Sequence, residues 1–216
     1  MTKDRRHLLW DLPTRVFHWT VVFGVCLAWW SAENEHYDIH EWTGYALLVL
    51  LVSRIAWGFL GSVHSRFSDF LAGPKTIIAY LRDGVSPTPG HNPLGGWSVV
   101  ALLTLLLLQA ISGLFNSDDI LFSGPLYYAA EAQVRDYMGL IHDWAFDILL
   151  ALVALHIVSV CYYQFGKKQT LIQPMLFGRA QGREGASAPA ATWKALVIVL
   201  LLAGLLWLGL EQAPQP

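Results

Sequence analysis

"IHDWAFDILLALVALHIV", residues 141–158, is an apolar run with an ionisable ring near each end, His142 and His156. The two are fourteen positions apart, close to four helical turns, so in a helix they share a face to within about 40° and differ in height by ~21 Å. The run is long enough to cross a bilayer. The rest of the chain suits that setting: of 216 residues 55% are hydrophobic and only 14% charged, and mean hydropathy is positive. An ordinary soluble domain does not carry such a composition. The sequence predicts an integral membrane protein built from helices.

Five windows reach or approach the ~20 apolar residues that a spanning helix needs. They run from Pro13 to Ser31, Ile39 to Leu60, Leu94 to Phe115, Tyr137 to Phe165 and Trp193 to Leu210. The first lacks a small-residue cleavage site and opens with Arg15 and His18, so it is read as a retained helix and not a signal peptide. The fifth follows "GRAQGREGASAPAAT", a Gly/Ala/Pro stretch expected to be a flexible connector. Cys26 and Cys161 lie inside apolar runs and are expected as small core residues, not as a disulfide or metal pair.

Basic residues set the orientation. Lys3, Arg5, Arg6 and Arg15 lie at the start of the first helix; Arg54, Arg66, Lys75 and Arg82 lie around the second connection; Lys167, Lys168, Arg179, Arg183 and Lys194 lie around the fourth. Only Arg135 falls on the other side. The positive-inside rule therefore predicts that the N-terminus lies in the cytoplasm and the C-terminus outside. The opposite face carries Glu33, Glu35, Asp38, Glu41, Asp118, Asp119, Glu131, Asp136 and Asp143 and is acidic. Trp10, Trp29, Trp30, Trp42, Trp144 and Trp193 are expected in interfacial belts.

Depth then pairs the histidines. With this topology His18 on the first helix lies in the inner layer with His156, and His40 at the start of the second lies in the outer layer with His142. Any one of them could be interhelical hydrogen-bonding glue, but ionisable rings in a membrane mark functional sites by default. Two imidazoles facing each other from different helices are what a six-coordinate haem iron needs; zinc wants more ligands in one layer. No C-x-x-C-H occurs, so two non-covalent b haems are expected. His36 and His40 form an H-x-x-x-H pair without an evident third ligand, and His40 is preferred because it opens the apolar run. Gly24, Gly44 and Gly113 either make room for porphyrin or promote close helix packing. Arg15 and Arg54 either bond propionates of the inner haem or snorkel to lipid phosphates. "GHNPLGGW", residues 90–97, reads as a turn into a helix with Pro at its start, or His91 touches an inner propionate or a quinone. His7 and His64 are expected to be solvated.

The stretches "WDLPTRVFHW" (10–19), "IHEWTGYALL" (39–48), "SRIAWGFLG" (53–61), "GHNPLGGW" and the pair His142 and His156 resemble the bacterial cytochrome b561 and nickel-hydrogenase b-type cytochrome family. The resemblance covers residues 10 to about 165 and implies a four-helix transmembrane bundle (1–165) holding two b haems, with His18, His40, His142 and His156 as axial ligands. A connector (166–192) and a fifth transmembrane helix with a short external tail (193–216) fall outside it. It implies electron transfer between membrane quinone and a redox partner, and the acidic outer face suits a basic periplasmic protein such as a c-type cytochrome.

Other readings stay open from sequence. Some relatives oxidise superoxide and pass the electron to quinone, which would benefit from a positive outer funnel, and only Arg135 lies there. Others are cytochrome b subunits of hydrogenase-like complexes. A non-redox transporter or assembly factor would hold no haem, and the inverted repeats that favour a transporter are not apparent. Homodimers and larger complexes are both compatible with the sequence. No nucleic-acid motif, nucleotide-binding loop or hydrolytic triad stands out, and "HEWTG" lacks the second histidine of a zincin.

Overall fold

The computed structural model describes residues 9–86, 88–118, 122–179 and 190–214. Lys3, Arg5, Arg6, His7, Asp119 and Arg183, with residues 180–189 of the expected connector, lie outside them. The elements among the described residues are helices, with an isolated bridge between Ser117 and Ser123.

Helix α1 (Leu12–Glu33) starts where Asp11 caps it: its Oδ1 accepts the Thr14 amide at 2.8 Å, and Pro13 occupies the first turn, a position where a missing N–H costs nothing. Glu35, with φ 59°, turns the chain back. Helix α2 (Tyr37–Leu60) then returns antiparallel along α1. A 3-10 turn (Val63–Ser65) and two short helices, α3 (Phe67–Phe70) and α4 (Pro74–Asp83), follow. Gly84 ends α4 in the left-handed region at φ 71°, which glycine adopts without strain. Helix α5 (Pro93–Gly113) begins as the sequence predicts: the Asn92 side chain accepts the Gly95 amide at 2.7 Å, with Pro93 at the first position. Helix α6 (Ala132–Cys161) lies along α5 and runs on through a π-turn (Tyr162–Gly166). Helices α7 (Ile172–Phe177) and α8 (Thr192–Glu211) complete the chain.

All five expected windows are helical. Four helices are long and apolar enough to cross a membrane: Tyr37–Leu60, Pro93–Gly113, Ala132–Gly166 and Thr192–Glu211. Helix α1 matches them in length with 22 residues, but Arg15, His18 and three tryptophans lower its hydropathy. Helix α2 is central, with α1, α5 and α8 packed around it, and Leu51 on it is fully buried. Two helical hairpins, α1/α2 and α5/α6, therefore stand side by side, joined mainly through α2 and α5. Helix α6 packs along α5 and has no comparable packing against α1 or α2.

Four expectations are corrected. Cys26 and Cys161 are exposed, not core residues, because the helix faces that carry them point away from the bundle. Trp10 is buried, not in an interfacial belt: with Leu9 it packs on Met175, and the Leu9 amide donates to Gly178 O at 2.8 Å. Residues 172–178, expected within the connector, thus fold as α7 against the start of α1. His64 is buried, because the turn between α2 and α3 folds inward and brings its Nδ1 within 3.1 Å of Asp69 Oδ2.

Candidate functional site

The four histidines fall at two levels of the bundle, as their spacing predicts. At the far end, His40 and His142 are half-buried and face each other, with ring centres 6.3 Å apart and planes at 75°. Each ring is held from behind. His40 Nδ1 lies 2.8 Å from Ala28 O on α1. His142 Nδ1 lies 3.0 Å from Gln109 O and 3.2 Å from Ser112 Oγ on α5. A backbone carbonyl only accepts, so both rings carry their proton on Nδ1 and leave Nε2 with its lone pair free, the arrangement that second-shell partners impose on metal-binding histidines. Ser112 is committed too, donating to Leu108 O at 2.6 Å.

Glycines shape this level. A Cβ on Gly113 would sit 3.0 Å from His142 Cε1, so the ring rests against bare backbone. One turn along α2 from His40, a Cβ on Gly44 would meet nothing within 4 Å, so that flank is open. Gly24 instead serves helix packing, with Leu47 2.7 Å from its ideal Cβ position. The two readings of these glycines therefore divide between positions.

At the end where α1 begins lie His18 on α1 and His156 on α6. Around them the chain gathers more polar groups than its sequence suggests. His91 is wedged between Trp10 and Phe70, each ring centre 4.7 Å from its own. Burial, then the nearby charges of Arg54, His156 and His64, push its pKa down to about 3, so it is neutral at physiological pH. Arg54 is buried on α2 with its guanidinium 5.6 Å from the Phe67 ring centre, and the Asp11 carboxylate is its nearby counter-charge. Asp11 accepts from Trp57 Nε1 at 2.9 Å and Ser65 Oγ at 3.1 Å as well as capping α1. Burial alone would raise the Asp11 pKa; hydrogen bonds from Ser62, Thr14 and Trp57 outweigh it and hold the group below the usual carboxylate value. Arg15 donates from Nη1 to Leu176 O at 2.8 Å, which ties α1 to α7.

Five buried side-chain atoms among the described residues lack a protein partner: Arg15 Nε, His18 Nδ1, Arg54 Nη1, His91 Nδ1 and Gln109 Oε1. Buried polar atoms without partners are uncommon in native proteins, and four of these five belong to the level of His18 and His156. Among the described residues no three His, Cys, Asp or Glu side chains come together around a bare metal ion. His36 is exposed and its ring lies 5.2 Å from that of Trp30.

Residues 9–178 match the family described as prokaryotic cytochrome b561. The chain belongs to that family. It is therefore a b-type cytochrome of membrane electron transfer, with b haem as its cofactor. The match begins at the buried Leu9 and ends at Gly178, the two residues joined by a hydrogen bond, and it leaves out α8. No curated protein and no solved structure gives a match.

The residues present fit such a group. A porphyrin supplies four of six iron ligands, so two histidines per site suffice. A metal–imidazole bond of about 2 Å, with about 1 Å more to each ring centre, puts two axial rings about 6 Å apart; His40 and His142 stand at 6.3 Å. Helix α6, which carries His142 and His156, has no comparable packing against α1 and α2, which carry His18 and His40. The sequence singled out the four histidines, Arg15 and Arg54, but missed Asp11, Ser112, Gln109 and the burial of His64. The D-x-P start of α1 was a legible capping signal for Asp11. Its contacts with Trp57 and Ser65 join residues 46 and 54 positions apart, which no local pattern encodes.

Proposed function

We propose that the chain is a di-haem cytochrome b of the bacterial inner membrane, N-terminus cytoplasmic and C-terminus periplasmic, carrying electrons between the quinone pool and a periplasmic redox partner such as a c-type cytochrome. The observation that carries the proposal is the pair His40 and His142, at the spacing of two axial imidazoles with each Nδ1 held by a backbone carbonyl of another helix. Bound b haem would supply one-electron iron chemistry at each level. The chain's own residues orient and tune. The carbonyls of Ala28 and Gln109 fix the tautomers of the outer pair, and His18 and His156 form the inner pair. Arg54 Nη1 and Arg15 Nε, both buried and unpartnered among the described residues, offer donors to propionate carboxylates. Neutral His91, with its unpartnered Nδ1, is placed to touch a propionate or a quinone head group.

The acidic outer face supports a basic partner: Glu33, Glu35 and Asp38 are exposed beside the turn that precedes His40. The outer cation, Arg135, stands 4.3 Å over the Tyr127 ring, so no observation here favours an anion-collecting superoxide site. The test is the purified chain. Pyridine haemochrome should give about two b haems per chain with low-spin, bis-histidine spectra. His40→Ala should remove one and His18→Ala the other. A single haem that survives both substitutions would refute the pairing.

A further inference from the structure

Helix α4 differs in kind from the spans. Its sequence, PKTIIAYLRD, is strongly sided. At about 100° per residue, Ile78 and Leu81 lie within about 60° of each other, and Lys75 and Arg82 lie within about 20° of each other on one flank of that stripe. Asp83 falls on the opposite side, and Tyr80 on the other flank. The stripe is uncovered by protein: Ile78 is 66% exposed, Leu81 65%, and Val85 just past the helix 73%, whereas Tyr80 is only 8% exposed.

Two tethers fix the height of α4. Tyr80 Oη lies 2.8 Å from Tyr163 Oη in the π-turn that ends α6. Trp97 Nε1, at the start of α5, donates to Ala72 O at 2.9 Å, two residues before α4 begins. At the same end of the bundle Phe59, Leu60, Tyr162 and Phe165 are exposed, and Lys167 Nζ stands 5.8 Å over the Tyr162 ring. Exposed aromatics mixed with basic side chains at helix ends mark the head-group level of a membrane. The apolar stripe of α4 therefore lies where acyl chains begin, flanked by two cations.

We propose that α4 is an interfacial helix: Ile78, Leu81 and Val85 insert beneath the head groups of the leaflet at this end of the bundle, and Lys75 and Arg82 hold anionic phospholipid head groups. A strongly amphipathic helix with a basic flank binds a membrane surface in this way. Arg82 also donates from Nε and Nη2 to Asp83 at 2.8 and 3.1 Å; both side chains are well exposed, so a phosphate can compete for the guanidinium. The helix follows α3 directly, and Phe70 of α3 packs on His91. Lipid contact thereby anchors the segment that covers the level of His18 and His156. Nothing here depends on which redox partner the protein serves.

The experiment uses the full-length, haem-loaded chain in nanodiscs, with Cys26→Ser and Cys161→Ser removing the exposed thiols. Ile78→Cys, Leu81→Cys, Ala79→Cys and Asp83→Cys are spin-labelled singly, and collision rates are measured with oxygen and with a water-soluble nickel chelate. Labels at 78 and 81 should collide mainly with oxygen and the label at 83 mainly with nickel. Nickel access at 78 and 81 equal to that at 83 would overturn insertion. Shielding of 78 and 81 from both reagents would also overturn it, and would point to a second copy or a partner protein. In discs mixing phosphatidylglycerol and phosphatidylcholine, Lys75→Gln and Arg82→Gln should each lower the preference for the anionic lipid about fivefold. An unchanged preference would overturn the head-group assignment.

Discussion

Replacing Asp11 with asparagine tests the polar network that joins the start of α1 to α2 and to the turn after it. Asparagine caps a helix as well as aspartate does, so the bond from the Thr14 amide at 2.8 Å survives. What disappears is charge. Trp57 Nε1 and Ser65 Oγ lose an ionised acceptor, and bonds to charged groups exceed neutral ones by roughly 1 kcal/mol each. Arg54, buried nearby without an ion pair among the described residues, also loses its counter-charge, which adds about 1 kcal/mol. Arg54 keeps its place over the Phe67 ring, so we expect a total near 3 kcal/mol. Unfolding by dodecyl sulfate titration at pH 7, followed through tryptophan fluorescence, measures it. The pH dependence gives a second check. The Asp11 pKa is held below its usual 3.8 in the folded chain, so its stabilisation is fully present above about pH 4 and is lost as pH falls through the folded value. The gap between parent and D11N should stay level from pH 7 to 5 and close below 4. Coupling to Arg54 follows from a double-mutant cycle with Arg54→Met. A gap under about 0.5 kcal/mol at pH 7, or no coupling to Arg54, would refute this account.

Further outcomes concern the two histidine levels and the joint between them. Gly113→Val should press the His142 ring off the Gln109 carbonyl, since even a Cβ would stand 3.0 Å from His142 Cε1; under the di-haem proposal, haem retention at that level should fall about tenfold or more, read by pyridine haemochrome, while the haem proposed for His18 and His156 is kept. Gly58→Ala places a Cβ 2.1 Å from Phe67 Cε2 and should cost about 1–3 kcal/mol by overpacking, measured by the same titration. His91, whose pKa falls from 6.5 to about 3 on folding, binds its proton in the unfolded chain first. Stability should therefore drop as pH falls below 6.5, by about 2 kcal/mol from this residue between pH 7 and pH 5, and His91→Phe should flatten that part of the curve.

Much of the bundle was legible because a membrane makes local sequence unusually informative. An apolar stretch of given length must be helical there, since the bilayer offers backbone groups no other partner, and all five windows are helices. The level of each histidine followed from the rise per residue and the alternation of the spans. Burial by loops was not legible. The basic stretch "VHSRF" at 63–67 reads as solvated, yet there the chain folds inward, with Ser65 bonded to Asp11 and Thr14 at the start of α1. Trp10 read as an interfacial anchor because the docking of α7 on α1 spans more than 160 positions, as in the Arg15–Leu176 bond.

The sequence by itself determined the helices, their succession and the two levels at which imidazoles occur, because length, hydropathy and helical pitch are properties of each segment alone. Only the tertiary structure decided how those imidazoles are held. The carbonyls that orient His40 and His142 belong to the backbones of other helices, and a backbone carbonyl carries no mark in the sequence. The same holds for Asp11, Arg54 and His91, whose charge and burial depend on which distant segments close over them; that closure is set by packing across the bundle.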